Sequence, residues 1–332
     1  MEKSPYEGAR VFVTGAGGFI ASHLVEQLVF QGASVRAFVR YNSRGDYGLL
    51  RYIPEPTLRK VEICFGDLRD YDAILHAVRG MDIVFHLGAL IAIPYSYLHP
   101  REVVETNVLG TFNILQACRE NKVERLVHTS TSEVYGTGRY VPMDEGHPLQ
   151  AQSPYAASKI AADKLAESFF CTYDLPVVTI RPFNTFGPRQ SARAVIPTII
   201  SQALAGQKIR IGNLTTKRDF TFVLDTVRGF LMAGSIPGIE GETFNLGTGK
   251  EISVGEVITL TARILGKELM VEQDPERFRP EKSEVMRLLS DFSKARESLG
   301  WSPKWSFEEG LKQTIQWIRE NLSSYPVHTY QR

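Results

Sequence analysis

The chain has 332 residues, and its 38 basic and 37 acidic side chains leave a formal net charge of +1 at pH 7. This balance gives no support for a protein that binds nucleic acid or an anionic membrane over much of its surface. No apolar run reaches the roughly 18 residues that span a bilayer. Three unpaired cysteines and histidines without ligand spacing predict a reduced, cytoplasmic globular protein without a metal site.

The first strand and the turn after it predict a dinucleotide-binding site. A short apolar run over 10–14 leads directly into Gly15-Ala16-Gly17-Gly18-Phe19-Ile20, and a helical pattern continues from there to about Gly32. Strand, glycine turn and helix form the context of a dinucleotide fingerprint, because glycines let the backbone approach a pyrophosphate at the helix N-terminus. The cofactor contacts expected here are Gly15, Gly17, Gly18, Phe19 and Ile20.

The next predicted strand, over 34–39, ends where dinucleotide folds select their cofactor. An acidic residue there binds the ribose 2′-hydroxyl of NAD, whereas a nearby arginine suits the 2′-phosphate of NADP. This chain has Arg40 directly after the strand and no acid before Asp46. The sequence therefore favours NADP over NAD, with Arg40 as the contact, although an exposed loop arginine needs no ligand.

A third strand over 61–65 is followed by Gly66-Asp67-Leu68. Asp67 has two interpretations: it accepts a hydrogen bond from the adenine amino group, or it caps the helix that includes residues 73–78. The sequence alone does not separate them.

The alternation of strands and helices continues through the middle of the chain. Residues 82–87 are almost continuously apolar, as parallel strands buried on both faces are, and His86 is expected in the core rather than in catalysis. A long helix is predicted over 101–120 and a fifth strand over 124–129.

A polar cluster, Thr131-Ser132-Glu133, follows the fifth strand at its carboxyl end, where open α/β sheets bind ligands. Tyr155 and Lys159 lie at positions i and i+4 near the start of a helix predicted over 153–173, so they share one helical face. A neighbouring cation lowers the pKa of a phenol, which can make it a base near neutral pH. By itself the Tyr-x-x-x-Lys spacing is also compatible with an ordinary exposed helix.

The pattern changes after a sixth strand over 176–180, because residues 181–189 are loop-like and shorter elements with more Pro, Gly and Arg follow. The fold class predicted is α/β, a doubly wound parallel sheet of Rossmann type with a smaller C-terminal α/β substrate-binding domain. The expected ranges are 1–180 for the cofactor domain and 181–332 for most of the substrate domain, with parts of 220–250, notably 243–246, returning to the sheet. The ends, 1–8 and 322–332, are expected to be loosely ordered.

Together these stretches resemble the extended short-chain dehydrogenase/reductase family, particularly its nucleotide-sugar epimerases, dehydratases and decarboxylases. The chain departs from the family pattern at two positions: Ala21 replaces a frequent third glycine, and Gly88 stands where Ala is common. Both positions still carry a small residue. The motifs that carry the resemblance are 14–20, His86-Leu87-Gly88-Ala89, Asn107, Tyr155 with Lys159, Arg181-Pro182-x-Asn184, 187–190 and Arg218-Asp219-Phe220.

The resemblance implies a role for each motif. Tyr155 takes a proton from a sugar hydroxyl while hydride passes to the nicotinamide, Lys159 holds the cofactor ribose and lowers the pKa of Tyr155, and Thr131 binds the same hydroxyl. Family members commonly dimerise through the helix that carries the Tyr and Lys and the long helix before it, so a homodimer is expected. The further contacts implied are Leu68, Leu87 and Ala89 for the cofactor, and Asn184, Arg189, Arg218 and Arg279 for the nucleotide-sugar substrate.

The pair Ser132-Glu133 bears on the subclass. It is similar to the dehydratase signature in which Thr is followed by Asp or Ser and then Glu. A 4,6-dehydratase must remove a C5 proton and expel the C6 hydroxyl, which requires a carboxylate beside Tyr155, whereas a simple 4-epimerase needs no second base. Glu133 would serve as both base and acid; a buried structural Glu is the alternative.

The Ser-Glu pair also occurs in UDP-glucuronate decarboxylases, whose usual helix reads Tyr-Asp-Glu-Gly-Lys rather than the sequence found at 155–159. Residues 148–155 resemble dehydratases of legionaminic-acid-type pathways, which act on UDP- or GDP-N-acetylglucosamine. The resemblance therefore implies a nucleotide-sugar 4,6-dehydratase with a tightly bound, recycled NAD(P). A decarboxylase, a 4-epimerase and, more remotely, an NADP-sensing regulator are the alternatives, and the nucleobase and the C2 substituent stay open.

Overall fold

The structure, a computed structural model, describes residues 4–325. The strands among these residues are β1 Arg10–Thr14, β2 Ser34–Arg40, β3 Val61–Gly66, β4 Ile83–His86, β5 Arg125–Thr129, β6 Val177–Pro182, β7 Asn184–Phe186, β8 Lys208–Ile211, β9 Lys217–Phe222, β10 Thr243–Leu246, β11 Glu251–Ser253, β12 Met270–Gln273 and β13 Arg287–Leu288.

The α-helices of the same residues are α1 Phe19–Phe30, α2 Glu55–Leu58, α3 Tyr71–Val78, α4 Ile93–Leu98, α5 Pro100–Val104, α6 Gly110–Glu120, α7 Pro154–Tyr173, α8 Val195–Ala205, α9 Val223–Ser235, α10 Val254–Leu265, α11 Ser293–Leu299 and α12 Phe307–Glu320. Short 3₁₀ turns cover Gly48–Tyr52, Ser132–Tyr135, Pro275–Arg277, Glu281–Ser283 and Leu322–Ser324. None of the helices that the structure describes is long and apolar enough to cross a membrane.

The main sheet has seven parallel strands in the order β10-β6-β5-β4-β1-β2-β3. Because side chains alternate along a strand, the central strands of this sheet contribute side chains to two hydrophobic cores, one on each face. Phe12, Val84 and Leu126 point to the core shared with α3, α6 and α7, whereas Phe85 and Val127 point to the core shared with α1 and α9. Both faces are therefore covered, and the predicted doubly wound α/β fold is confirmed.

Strands of the second half form two smaller sheets. Strand β9 pairs with β7, β11 and β13, and β8 pairs with β12. The prediction of a loop over 181–189 is wrong in part, because β6 extends to Pro182 and β7 pairs in parallel with β9. These hydrogen bonds go to strands distant in sequence, so local composition does not reveal them.

The long helix predicted over 101–120 is interrupted by a π-helical turn, Glu105–Leu109. Asn107 lies in this turn and is 1% exposed. Its amide donates to the Leu90 carbonyl at 3.0 Å and to the Ser158 hydroxyl at 2.9 Å, and it accepts from the Leu90 N–H. Asn107 thus ties the segment after β4 to α7, which carries the candidate catalytic residues.

The prediction of loose termini is wrong where the structure describes them. Tyr6 is fully buried and donates to the Leu231 carbonyl at 2.6 Å, and Tyr325 is buried and donates to the Gln190 carbonyl at 3.0 Å. Each end contributes an aromatic side chain to the core, which offsets the entropy of ordering it. Residues 1–3 and 326–332 lie outside the described residues.

Candidate active site

The turn after β5 presents the polar cluster predicted there. Thr131 is extended, and its hydroxyl accepts a hydrogen bond from the Glu133 N–H at 3.2 Å, which caps the 3₁₀ turn Ser132–Tyr135. Ser132 is buried, and the Glu133 side chain is 12% exposed. Because this cap involves only neighbouring residues, the local sequence is sufficient to form the turn that follows β5 and carries Glu133.

The helix α7 places Tyr155 in its first turn and Lys159 one turn later. The Ser153 hydroxyl accepts from the Ala156 N–H at 3.1 Å, and Pro154 occupies the first helical position, a favoured combination for a helix start. Tyr155 and Lys159 are both buried. The Lys159 ammonium donates to the Thr129 carbonyl at 2.6 Å, so α7 is attached to the end of β5.

The electrostatics of this pair differ from the expectation. Burial raises the pKa of Tyr155; the Thr131 hydroxyl lowers that pKa, and the Glu133 and Asp163 carboxylates raise it further. Burial also lowers the pKa of Lys159 to about 8. The pKa of Tyr155 is therefore raised rather than lowered, because burial and two negative charges dominate its environment.

The glycine turn after β1 makes close backbone approaches. Gly15 has φ +65°, and a Cβ there would lie 2.7 Å from the Gly88 Cα. A Cβ on Gly17 would lie 2.9 Å from the Tyr47 carbonyl oxygen. Gly18 precedes α1 without a side-chain cap, so no cap side chain occupies the N–H groups of the first turn, which begins with Phe19 and Ile20. This cradle fits a dinucleotide pyrophosphate, which needs free backbone N–H groups and no side chain in its path.

Contacts between Leu68 and Gly88 continue the same cradle along the strand ends. Leu68 lies against Gly88, where an added Cβ would be 2.9 Å from the Leu68 Cδ1. The Gly88 N–H donates to the Thr14 hydroxyl at 3.0 Å, which holds the segment Leu87–Ala89 beside the glycine turn. The predicted cofactor residues from β1, β3 and β4 are therefore neighbours in space.

Asp67 and Arg40 stand at the ends of neighbouring strands, β3 and β2. The capping alternative for Asp67 is wrong, because Asp70 accepts from the Ala73 N–H and caps α3. Asp67 instead pairs with Arg69 at 2.6 Å, and the hydrogen bonds from Arg69 lower the pKa of its carboxyl. Arg40 is 65% exposed and reaches Glu102 at 3.4 Å.

Four charged side chains from three distant segments meet beside Tyr155, and we call them the substrate cluster: Glu133, Arg218, Arg279 and Glu284. Arg279 Nη1 lies 3.8 Å from Glu133 Oε1 and 3.9 Å from Glu284 Oε1. Arg218 Nη2 lies 3.6 Å from Glu284 Oε1, and burial lowers the pKa of its guanidinium. These separations are longer than direct hydrogen bonds, so the two cations are close to carboxylates without being engaged by them.

Two site atoms are buried without a hydrogen-bond partner among the described residues. They are Asn184 Oδ1 and, in the substrate cluster, Arg279 Nη1; Nε and Nη1 of the predicted substrate contact Arg189 are likewise buried without a partner among the same residues. A buried polar atom left unpaired costs free energy, so each is free to bind a ligand group. Asn184 lies at the start of β7, immediately beyond the main sheet.

Arg189 is placed in a different environment. Its guanidinium contacts Glu26 of α1 at 2.6 Å and lies 6.0 Å from the centre of the Trp317 ring of α12. We call Glu26, Arg189 and Trp317 the Arg189 anchor. It joins α1 to α12, and the predicted substrate contact of Arg189 stays a prediction.

Several residues beside the site gave no sequence signal of their own. Glu284 follows Arg279 in a charged loop without periodicity. The Tyr97 hydroxyl donates to Ser283 Oγ at 2.6 Å, and Ser283 in turn donates to the Gln152 carbonyl at 2.6 Å, which links three segments around Glu133. Asp163 lies at i+4 from Lys159, and that helical spacing could have identified it.

His86 is buried as expected and lies between the Thr14 and Thr111 hydroxyls at 2.8 and 3.0 Å. Burial lowers the pKa of its imidazole well below the usual value, so the ring is neutral at pH 7. Within residues 4–325, no group of three or more His, Cys, Asp or Glu side chains could hold a metal ion.

Known proteins with similar sequences and structures cover almost the whole chain. The family model described as GDP-mannose 4,6 dehydratase matches residues 12–314. The dTDP-D-glucose 4,6-dehydratase of Mus musculus is 34% identical over 328 residues, which cover 95% of this chain and 90% of the relative. The UDP-glucose 4-epimerase of Mycolicibacterium smegmatis is 36% identical over 316 residues, which cover 93% of this chain and 98% of the relative.

The solved structure of DesIV, a dTDP-glucose 4,6-dehydratase from Streptomyces venezuelae with NAD bound, superposes with a TM-score of 0.85 at 31% identity. The match covers 95% of this chain and 98% of that chain. Dehydratases and epimerases are thus similarly close to this sequence.

Proposed function

The chain belongs to the GDP-mannose 4,6-dehydratase family of extended short-chain dehydrogenases/reductases, and on that basis we propose that it is a nucleotide-sugar 4,6-dehydratase. The observation that carries the proposal is the position of Glu133. This carboxylate lies close enough to Tyr155 to raise its pKa, and it is 3.8 Å from Arg279. Removal of a C5 proton and expulsion of a C6 hydroxyl need a carboxylate there, whereas 4-epimerisation needs no second base.

The chemistry divides among four side chains. Thr131 binds the sugar C4 hydroxyl, Tyr155 takes its proton, and Lys159 contacts the cofactor ribose and stabilises the phenolate by its charge. Glu133 removes the C5 proton, which the C4 ketone acidifies, and then donates a proton to the C6 hydroxyl, which leaves as water. A bound nicotinamide cofactor supplies reversible hydride storage, so none is consumed in a full turnover.

The burial of Tyr155 opposes its role as a base in the free chain. A phenol whose pKa is raised by burial stays protonated until a further positive charge and a substrate hydroxyl reach it. The chain's own residues therefore suppress the base in the absence of substrate. Lys159 at i+4 can supply part of the charge that reverses this.

The cofactor proposed is NADP, with Arg40 as the contact to the 2′-phosphate. The guanidinium is exposed and weakly paired with Glu102, so it can turn toward an anion. DesIV was solved with NAD, which makes NAD the alternative.

The substrate proposed is a nucleoside diphosphate linked to N-acetylglucosamine, with uracil or guanine as the base. Arg218 and Arg279 supply the positive charge for the diphosphate, and Asn184 adds a polar contact. The choice of sugar rests on the resemblance of residues 148–155 to dehydratases that act on N-acetylglucosamine.

A homodimer is also part of the proposal. Apolar side chains on the outer face of the π turn, α6 and α7 are exposed, including Leu109, Phe112 and Tyr173. Pairing these helices with those of a second copy would cover this surface.

The experiment is a mass-spectrometric screen of UDP-, GDP-, dTDP- and CDP-linked sugars with the purified chain. We expect loss of one water from a hexose substrate and a 4-keto-6-deoxy product. Carbon dioxide release from UDP-glucuronate would establish a decarboxylase instead.

A 4-epimerase is the second candidate because the UDP-glucose 4-epimerase of Mycolicibacterium smegmatis is as similar in sequence as the dehydratases. It would give a product of unchanged mass with inverted C4. In that case Glu133→Gln would leave turnover near the parental rate.

A further inference from the structure

A buried carboxylate on α7, Asp163, accepts four hydrogen bonds from two strands of the sheet. Its Oδ1 accepts from His128 Nε2 at 3.1 Å, and its Oδ2 accepts from the Ser130 hydroxyl at 2.7 Å and from Arg181 Nε and Nη2 at 3.2 and 3.1 Å. Asp163 is 5% exposed, and Arg181 is 7% exposed. A fully bonded buried carboxylate of this kind has one fixed geometry.

The partners of Asp163 flank the candidate catalytic turn on both sides. Ser130 immediately precedes Thr131, and Arg181 Nη1 donates at 3.0 Å to the hydroxyl of Tyr135, the last residue of the turn that contains Glu133. Asp163 itself lies on the same helix as Tyr155. One carboxylate therefore connects the helix bearing Tyr155 and Lys159 to both ends of the turn bearing Thr131 and Glu133.

Asp163 also faces Lys159, because the two residues lie at positions i and i+4 of α7. The Lys159 ammonium has one direct hydrogen bond, to the Thr129 carbonyl. Asp163 is the nearby negative charge that raises the pKa of this buried ammonium. Without that carboxylate the buried ammonium would lose its compensating charge.

We propose that Asp163 is a positioning residue, which holds the Tyr155–Lys159 helix in register with the Thr131–Glu133 turn and keeps Lys159 as an ammonium. This inference rests on the roles that the proposed function gives to Tyr155 and Lys159. It does not depend on dehydration, because C4 oxidation is common to dehydratases and epimerases of this family.

The charges around Lys159 agree with this role. Burial raises the pKa of Asp163, but the hydrogen bond from His128 and the charges of Arg181 and Lys159 outweigh it, so its pKa is lowered and it stays ionised. His128 of β5 and His86 of β4 face the ammonium from the sheet, and burial lowers the pKa of both imidazoles, which keeps them neutral.

Tyr155, one turn before Lys159 on α7, is under the influence of the Glu133 charge, and the uncharged Asn107–Ser158 pair connects α7 to the segment packed against it. Since Lys159 has a pKa of about 8, hydride transfer should decline as pH rises through that value, because the ammonium is lost. Loss of the Asp163 charge lowers that pKa further, so the decline should begin at lower pH.

The test is Asp163→Asn, which keeps the shape and removes the charge. Single-turnover reduction of the bound nicotinamide by the nucleotide sugar is followed across pH. We expect the alkaline limb to move down by about one pH unit, the low end of the effect of a removed opposite charge, with about a fivefold slower step at pH 8. The KM for the nucleotide sugar should be nearly unchanged, because Asp163 does not line the substrate cluster.

Two further variants separate positioning from general stability. Asp225 is equally buried and accepts from the Lys304 and Trp305 N–H groups on another part of the fold. Asp225→Asn should lower the melting temperature without moving the pH limb. Asp163→Glu restores the charge and should return the limb toward the parental position.

Amide hydrogen exchange gives a readout that does not need turnover. Exchange over residues 131–135 should be faster in Asp163→Asn and unchanged in Asp225→Asn. An unmoved pH limb and unchanged exchange in a folded Asp163→Asn would overturn the inference. Parental C4 oxidation without loss of water would refute the proposed dehydratase and leave the role of Asp163 intact.

Discussion

The substrate cluster and the Arg189 anchor both contain buried arginines, but the two groups pair their guanidiniums differently. In the anchor, Arg189 Nη2 is 2.6 Å from Glu26 and the guanidinium lies 6.0 Å from the centre of the Trp317 ring, so one of its nitrogens is directly engaged while Nε and Nη1 have no partner among the described residues. In the cluster, Arg218 and Arg279 reach Glu284 only at 3.6 and 3.9 Å. All three arginines come from the second half of the chain, and sequence alone placed them in one functional set.

The difference indicates which arginines are available to a ligand. Breaking a close, buried ion pair leaves an uncompensated charge, so an anchor arginine is held in its structural role. Loosely paired guanidiniums can exchange a distant carboxylate for the closer, bidentate contacts of a diphosphate. Four variants test this contrast.

The largest effect is expected from Glu133→Gln, which removes the base of the cluster but keeps its shape. Dehydration should fall at least about 10²-fold, because a general acid–base group is lost. C4 oxidation should persist, so reduced nicotinamide should accumulate slowly and solvent deuterium should stop entering C5. Dehydration near the parental rate would show that Glu133 is structural.

Arg218→Met should weaken substrate binding with little effect on the fold of the site. Losing a charge-assisted contact to the diphosphate costs about 1.5–3 kcal/mol, so the KM should rise roughly 10- to 100-fold. Steady-state kinetics with the substrate found in the screen provide the measurement. A parental KM would remove Arg218 from the substrate cluster.

Arg189→Met, the same substitution in the anchor, is the matched control. The free energy of unfolding should fall by about 1–3 kcal/mol, less than for a fully buried pair because the Glu26 side chain is 27% exposed. Denaturant unfolding checks this value. The KM should stay parental, and a raised KM with unchanged stability would place Arg189 in the substrate site after all.

The smallest effect is expected from Arg40→Ala, because this side chain is exposed and screened by solvent. NADP affinity should fall about tenfold, or about 1.4 kcal/mol, and NAD affinity should change little. Arg44→Ala, in the same loop, is the control. Equal loss for both cofactors would refute the assignment of Arg40 to the 2′-phosphate.

Much of the fold was predictable because its signals are short-range. Strand-length apolar runs separated by helical patterns predicted the strands β1 to β6, and the glycine turn before α1 needed only its own residues and the strand before it. The spacing of Tyr155 and Lys159 likewise required nothing beyond the 3.6-residue period of a helix. These features follow from local geometry, which a sequence window contains.

Other features were decided by contacts between segments far apart in the chain. Arg189 and Glu26 are 163 residues apart, and no local pattern distinguishes that arginine from Arg218. Strand β7 forms because β9 provides its hydrogen-bonding partner. Glu284 and Glu133 come together because Arg279, in the second half of the chain, lies close to both carboxylates. The pKa of Tyr155 also follows from burial, which depends on the whole packed structure. The reactive residue types were therefore visible in the sequence. Which of them meet depended on long-range packing, because packing sets the distances between side chains and the dielectric environment around them.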